Sequence, residues 1–354
     1  MQPEPESTTP KRKRPKIRTV VRRYRAEGYL LTSLVAFAVT VIVTRVYLAL
    51  ADYPQIGNDV LHIAHALWGG LLLFVAAWLP LALANRWALQ SSAWLGGVGA
   101  GLFVDEVGKF ITQANDYFFP PALSIIYGFF LLTVFVYLRF RRPHLEDPRR
   151  AMYQVFEGLQ DALDGDLDVE EAAWIESQLA IAKRSDRAEI VSLAKAIGDY
   201  LRVEKRHLSV AEADLWKRTV MRVDALGRRF GRCAHRALIT GLLTLWVAFT
   251  IGYILVLIRG DTNIASQVLR WRVPLVAIQA VIGSMMIAAL FAWLTKREER
   301  GLRCAVSGFL LSLVALQSLY FYISQFSAIT SALLQLAILQ ILLAYRRWYL
   351  PDGE

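Results

Sequence analysis

The chain has 354 residues, 55% of them hydrophobic and 20% charged, with a mean hydropathy of +0.37. That balance excludes an ordinary water-soluble enzyme and fits a polytopic membrane protein with a soluble portion. The net charge of +10 gathers beside the ends of apolar runs, as the positive-inside rule expects, and so speaks for membrane topology rather than for nucleic acid as a partner. Cys233 and Cys304 fall near predicted cytoplasmic borders, where thiols stay reduced, and neither belongs to a CxxC pattern.

Residues 1–28 read as a basic, disordered cytoplasmic tail. Its cluster Lys11-Arg12-Lys13-Arg14-Pro15-Lys16, with Arg18, Arg22, Arg23 and Arg25, is expected to touch anionic membrane lipid, since it abuts a membrane segment. The apolar run from Tyr29 to Leu50 is too long for a signal-peptide core and reads as an uncleaved anchor. It opens a first transmembrane block, 29–142, of about four helices. The second helix is expected to start near Val60 behind a cap at Asn58 or Asp59. The third is expected from about Ala93 to Gln113, and the fourth opens at Pro120 and Pro121 and returns to Arg139, Arg141 and Arg142.

From 143 to 235 charges of both signs replace the apolar runs. Asp168-Val169-Glu170-Glu171 and Ser209-Val210-Ala211-Glu212 have the form of capping boxes. Helical spacing links Ile175 with Leu179, Trp174 with Ile181, and Ile190, Leu193, Ile197 and Leu201. This predicts a cytoplasmic domain of roughly four helices. Its Asp164–Asp168 stretch lacks the glycine at the sixth position and the terminal glutamate of a calcium loop. A second transmembrane block, 236–345, again of about four helices, and a short cytoplasmic tail, 346–354, complete an all-α protein of about eight spans. The basic tail before the first helix, the basic link Lys296–Arg300 and the pair Arg346-Arg347 place both termini in the cytoplasm.

One stretch breaks the apolar pattern. Asp105, Glu106 and Lys109 fall in a predicted span, where charges must be paired or hydrated. At 1.5 Å per residue, Arg45, His65 and Lys109 lie about 7 Å inside the outer boundary and Asp105 and Glu106 about 12–14 Å inside. With His62 they form one predicted outer-leaflet layer in which two cations balance two carboxylates. Gly97, Gly101, Asp105 and Lys109 recur at i,i+4, and His62, His65 and Gly69 form a second stripe, with Gly69 expected level with Asp105.

These residue types suit several chemistries. Glu106, Asp105, His62 and His65 are the catalytic candidates, as general acids and bases. His62, His65 and Glu106 have the residue types of a zinc or iron site, and Arg45 and Lys109 would position substrate or hold the network. No pattern specifies a cofactor. Asp105 or Glu106 could instead bind a proton or cation in transport, the whole layer could be a structural ion-pair lock, or 143–235 could bind a cytoplasmic protein partner. Tyr117-Phe118-Phe119 reads as an interfacial belt, and Gln317, Tyr320, Tyr322 and Gln325 as interfacial anchors and interhelical hydrogen bonds.

Asn58-Asp59-Val60-Leu61-His62 opening one helix, with Asp105-Glu106-Val107-Gly108-Lys109-Phe110 closing the next, resembles the VanZ-like family of bacterial membrane proteins over residues 58–135. Lys109 stands where that family has glutamine, and the family's later polar residues are missing after Asn115-Asp116. The resemblance implies a helical membrane fold and a role at the cell envelope.

Overall fold

A computed structural model describes residues 20–51, 64–113, 116–117, 119–141, 147–165, 167–204, 227, 231–259 and 271–350. These residues form helices and no strand. The chain divides into two compact units, one spanning Met1–Ala26 with Pro143–Ala211, the other Glu27–Arg142 with Glu212–Glu354.

The larger unit begins with α1 (Ala26–Leu50), α2 (His65–Ala82), α3 (Arg86–Asp105), the single turn α4 (Val107–Ile111) and α5 (Pro120–Arg141). Pro120 and Pro121 occupy the first turn of α5, where a missing N–H leaves no bond unmade. Among the described residues, seven helical stretches are long and apolar enough to cross a membrane, and α3 is not among them. Its 20 residues reach about 30 Å, enough to span, but four glycines with Gln90, Ser91 and Ser92 lower its hydropathy. Those glycines serve packing instead. A Cβ at Gly99 would lie 2.8 Å from the Gly69 carbonyl oxygen, and one at Gly69 would lie 2.7 Å from that of Gly99. α2 and α3 therefore meet backbone to backbone.

Two expected boundaries change. The third helix runs over Arg86–Asp105, not 93–113, and the second starts at His65, not near Val60. The expected caps Asn58 and Asp59 lie outside the described residues. Gly69 consequently sits against Gly99 and Phe103, while His65 rather than Gly69 reaches Asp105.

The second membrane block comprises α9 (Arg232–Arg259), α10 (Arg272–Leu294), α11 (Glu298–Ile323) and α12 (Gln325–Tyr349). They enclose a core of Leu243, Leu275, Met286, Trp293, Phe309 and Tyr345. Side chains such as Leu245, Phe249 and Phe291, like Val43, Phe74 and Phe135 in the first block, remain exposed, so these helices are apolar on both faces, as lipid-facing helices are. α11 contains a π turn at Ser312–Leu316, which displaces carbonyls from their usual partners. Two hydroxyls of α5 donate next to it, Tyr127 to the Leu313 carbonyl at 2.7 Å and Ser124 to the Ser318 carbonyl at 2.9 Å.

The smaller unit contains α6 (Pro148–Leu163), α7 (Val169–Ala182) and α8 (Ala188–Glu204). α7 opens on the expected capping box, with Asp168 and Glu171 each bonded to the other's backbone N–H. Ile175, Leu179, Ile197 and Leu201 are buried, but Leu193 is exposed and Ala194 takes its place in the core. The expected fourth helix and the expected box at Ser209–Glu212 fall outside the described residues. The residues just before α1 belong to this unit as well. The Tyr24 ring stacks on Trp174 at 3.9 Å, Arg25 pairs with Glu171 at 2.7 Å, and Arg23 pairs with Glu157 at 3.3 Å.

Candidate functional site

The C-terminal ends of α1 and α3 meet the N-terminal ends of α2 and α5, and the polar residues of the first block gather there. Asp105 ends α3, and Glu106 leaves helical geometry with φ −88° and ψ 10° before α4 resumes. Both acids therefore sit at a helix break. Consecutive helical side chains diverge by about 100°, so the two carboxylates acquire separate partners.

Asp105 shares a face with Gly97 and Gly101, and that face lies on α1. A Cβ on Gly101 would stand 2.8 Å from the Thr40 Cβ, and Gly97 lies against Ser33 and Ala36. This close approach brings in Arg45, whose Nε donates to Asp105 Oδ1 at 2.6 Å and whose Nη2 donates to the Asp105 carbonyl at 3.1 Å. On its other oxygen, Asp105 accepts the Tyr117 hydroxyl at 2.6 Å and faces His65 Nε2 at 3.2 Å. The Arg45 guanidinium also lies over the Tyr117 ring, 4.6 Å from its centre. Gly108 packs under the Asp116 and Tyr117 carbonyls, which holds this loop against α4.

Glu106 serves α2. Its Oε2 accepts the Ala66 N–H at 2.9 Å, and Ala64, the N-cap residue, provides no side-chain cap. A carboxylate from a neighbouring helix thus satisfies an open amide and places negative charge at the positive end of the helix dipole. Oε1 accepts from Lys109 Nζ at 2.6 Å and stands 3.6 Å from His65 Nδ1.

The exposures define a floor and a rim. Asp105, Glu106 and Arg45 are buried, whereas the side chains of His65 and Lys109 retain 24% and 26% exposure. Two carboxylates face one guanidinium and one amine, so the formal charges of the cluster balance. His65 presents one ring nitrogen to each carboxylate. Nε2 is within hydrogen-bond distance of Asp105, whereas Nδ1 faces Glu106 from beyond it.

Five of the six residues expected in this layer, Arg45, His65, Asp105, Glu106 and Lys109, come together; His62 lies outside the described residues. Among the described residues no three His, Cys, Asp or Glu side chains group so as to hold a metal ion. Of the expected metal set, His65 and Glu106 are adjacent, with Glu106 already engaged by Lys109 and the α2 amide. Tyr117, expected as part of an interfacial belt, instead bonds to Asp105; its position just before the Pro120 helix start was the only signal in the sequence. Gln317 does not join the site. It is buried between helices, bonded to the Ala328 carbonyl and to Gln335. Compared with protein-family models, with curated proteins and with solved structures, the chain has no match.

Proposed function

We propose that this is an integral inner-membrane protein whose polar cluster is an acid–base site facing the envelope side, acting on a membrane lipid or a cell-wall precursor. The carrying observation is His65, partly exposed and set between two buried carboxylates. In this reading Glu106 and Asp105 hold and return a proton through His65 at the rim, His62 is a further candidate on the same segment, and Arg45 and Lys109 fix the carboxylates.

The orientation follows from charge. Arg139 and Arg141 close α5, Arg232 and Arg236 open α9, and Arg346 and Arg347 close α12. Assigning these ends to the cytoplasm puts the polar cluster on the opposite side. The local likeness of residues 58–135 to VanZ-like proteins points the same way. Phe37, Val41, Leu123, Ile126 and Phe321 form one buried apolar cluster, and Val104 and Val107, which flank the two acids in the chain, pack against it. That apolar layer counts against a through-path for protons or cations.

The test compares lipid and cell-wall-precursor profiles, by mass spectrometry, of cells carrying the wild type, Glu106→Gln or His65→Asn at matched protein abundance. One lipid or lipid-linked species should accumulate in both variants. Unchanged profiles with abundant, folded protein would refute the reading.

A further inference from the structure

At the ends of α9, α10, α11 and α12 remote from the acid–base cluster there is a cleft of about 520 Å³, lined by Arg232, Lys296, Arg297, Glu298, Glu299, Arg300 and Leu350. Its two carboxylates are already engaged. Glu298 accepts from Arg232 at 3.0 Å and from the Tyr345 hydroxyl at 2.8 Å, and pairs with Arg236 at 3.2 Å. Glu299 pairs with Arg303 at 3.6 Å. Lys296, Arg297 and Arg300 have no partner among the described residues. Among the described residues, three cations without a side-chain partner therefore line one shallow, open depression.

Two further features single out this cleft from ordinary juxtamembrane charge. Lys296 has φ 61°, a left-handed conformation strained for any residue with a Cβ, yet a lysine rather than a glycine occupies the turn. Beside the cleft, α12 ends in an aromatic group. Tyr349 bonds to His235 Nδ1 at 3.3 Å, and Trp348 packs edge-on to the same ring at 5.1 Å. Aromatic residues of this kind mark the depth of lipid headgroups, and Leu350 lends the cleft an apolar edge.

We infer that this cleft binds a phosphate-bearing anion through Lys296, Arg297 and Arg300, and that its source is the headgroup of an anionic phospholipid. The site lies apart from the acid–base cluster and does not depend on its chemistry.

The full-length protein is reconstituted in nanodiscs of phosphatidylcholine with or without phosphatidylglycerol, and retained lipid is counted by native mass spectrometry. The triple variant Lys296→Gln, Arg297→Gln, Arg300→Gln leaves the Arg232–Glu298–Tyr345 network intact. A control, Arg187→Gln, Lys195→Gln, Arg202→Gln, removes three exposed charges from the smaller unit. The wild type and control should retain phosphatidylglycerol selectively, and the cleft variant should lose that preference by about tenfold or more. Competition with inorganic phosphate distinguishes the source: displacement of the lipid by millimolar phosphate would overturn the headgroup assignment in favour of a free anion, and persistence of the lipid supports it. Equal retention by wild type and cleft variant, or equal loss in the control, would overturn the site itself.

Discussion

Arg45 is the residue whose removal tests the cluster most directly. Arg45→Met keeps the length and apolar bulk of the side chain while leaving Asp105, at 0% exposure, without its guanidinium. Stripping one partner from a buried ion pair costs about 3–5 kcal/mol. Asp105 retains the Tyr117 hydroxyl and His65, so the expected loss lies at the lower end, about 3 kcal/mol. At roughly 2–4 °C per kcal/mol for a domain of this size, Tm should fall by about 6–12 °C. The free cysteines supply the assay. Cys304 is half-buried in α11 while Cys233 is already exposed, so a thiol-reactive fluorophore reports unfolding as a rise above a constant baseline. Arg45→Lys, which keeps charge but loses the fork, should fall between. Arg45→Met combined with Asp105→Leu should recover part of the loss, because both charges then leave the interior together. The reasoning is refuted if Arg45→Met melts with Val43→Ala, a change at a side chain facing outward at 59% exposure.

The same melting assay checks three further expectations. Glu106→Gln keeps an oxygen for the Ala66 amide and should be milder than Glu106→Ala, which also forfeits the α2 cap at about 1 kcal/mol. Tyr117→Phe removes a single hydrogen bond to a charged acceptor and should cost about 1.5–3 kcal/mol. Gly99→Ala sets a methyl against the α2 backbone and should destabilise by about 1–3 kcal/mol, whereas Gly70→Ala, with nothing within 4 Å, should be neutral or slightly stabilising. In the smaller unit, Tyr24→Ala removes the stack on Trp174, and trypsin should then cut after Arg22, Arg23 or Arg25 faster than in the wild type; an unchanged cleavage rate would refute the docking.

Much of the architecture was legible because a bilayer imposes strong local rules. Apolar run length gave the order of the membrane helices but about eight spans where seven described helices qualify, because α3 is long enough yet too polar; prolines marked the start of α5, and the Asp168–Glu171 spacing gave the α7 cap. Depths counted from the helical rise, supported by charge balance, suggested that Arg45, His65, Asp105, Glu106 and Lys109 share a layer. The boundaries of α2 and α3 were misplaced because hydropathy varies smoothly across a helix end, whereas the break at Glu106 depends on which neighbour takes its carboxylate. Leu193 and Ala194 exchanged roles for a related reason: spacing fixes a face to within one residue, and packing selects between adjacent positions.

The sequence by itself determined that this chain is helical, that it belongs in a membrane, and that its buried acids require buried bases. Those conclusions follow from transfer free energies, which each segment carries alone. Which base meets which acid was decided only in three dimensions. Backbone contact at Gly69 and Gly99, and at Gly97 and Gly101, sets the helix separations, and these separations bring Arg45 and Tyr117 to Asp105 and the α2 amide to Glu106. A hydrogen bond is satisfied within a few tenths of an ångström, a precision that no one-dimensional pattern contains.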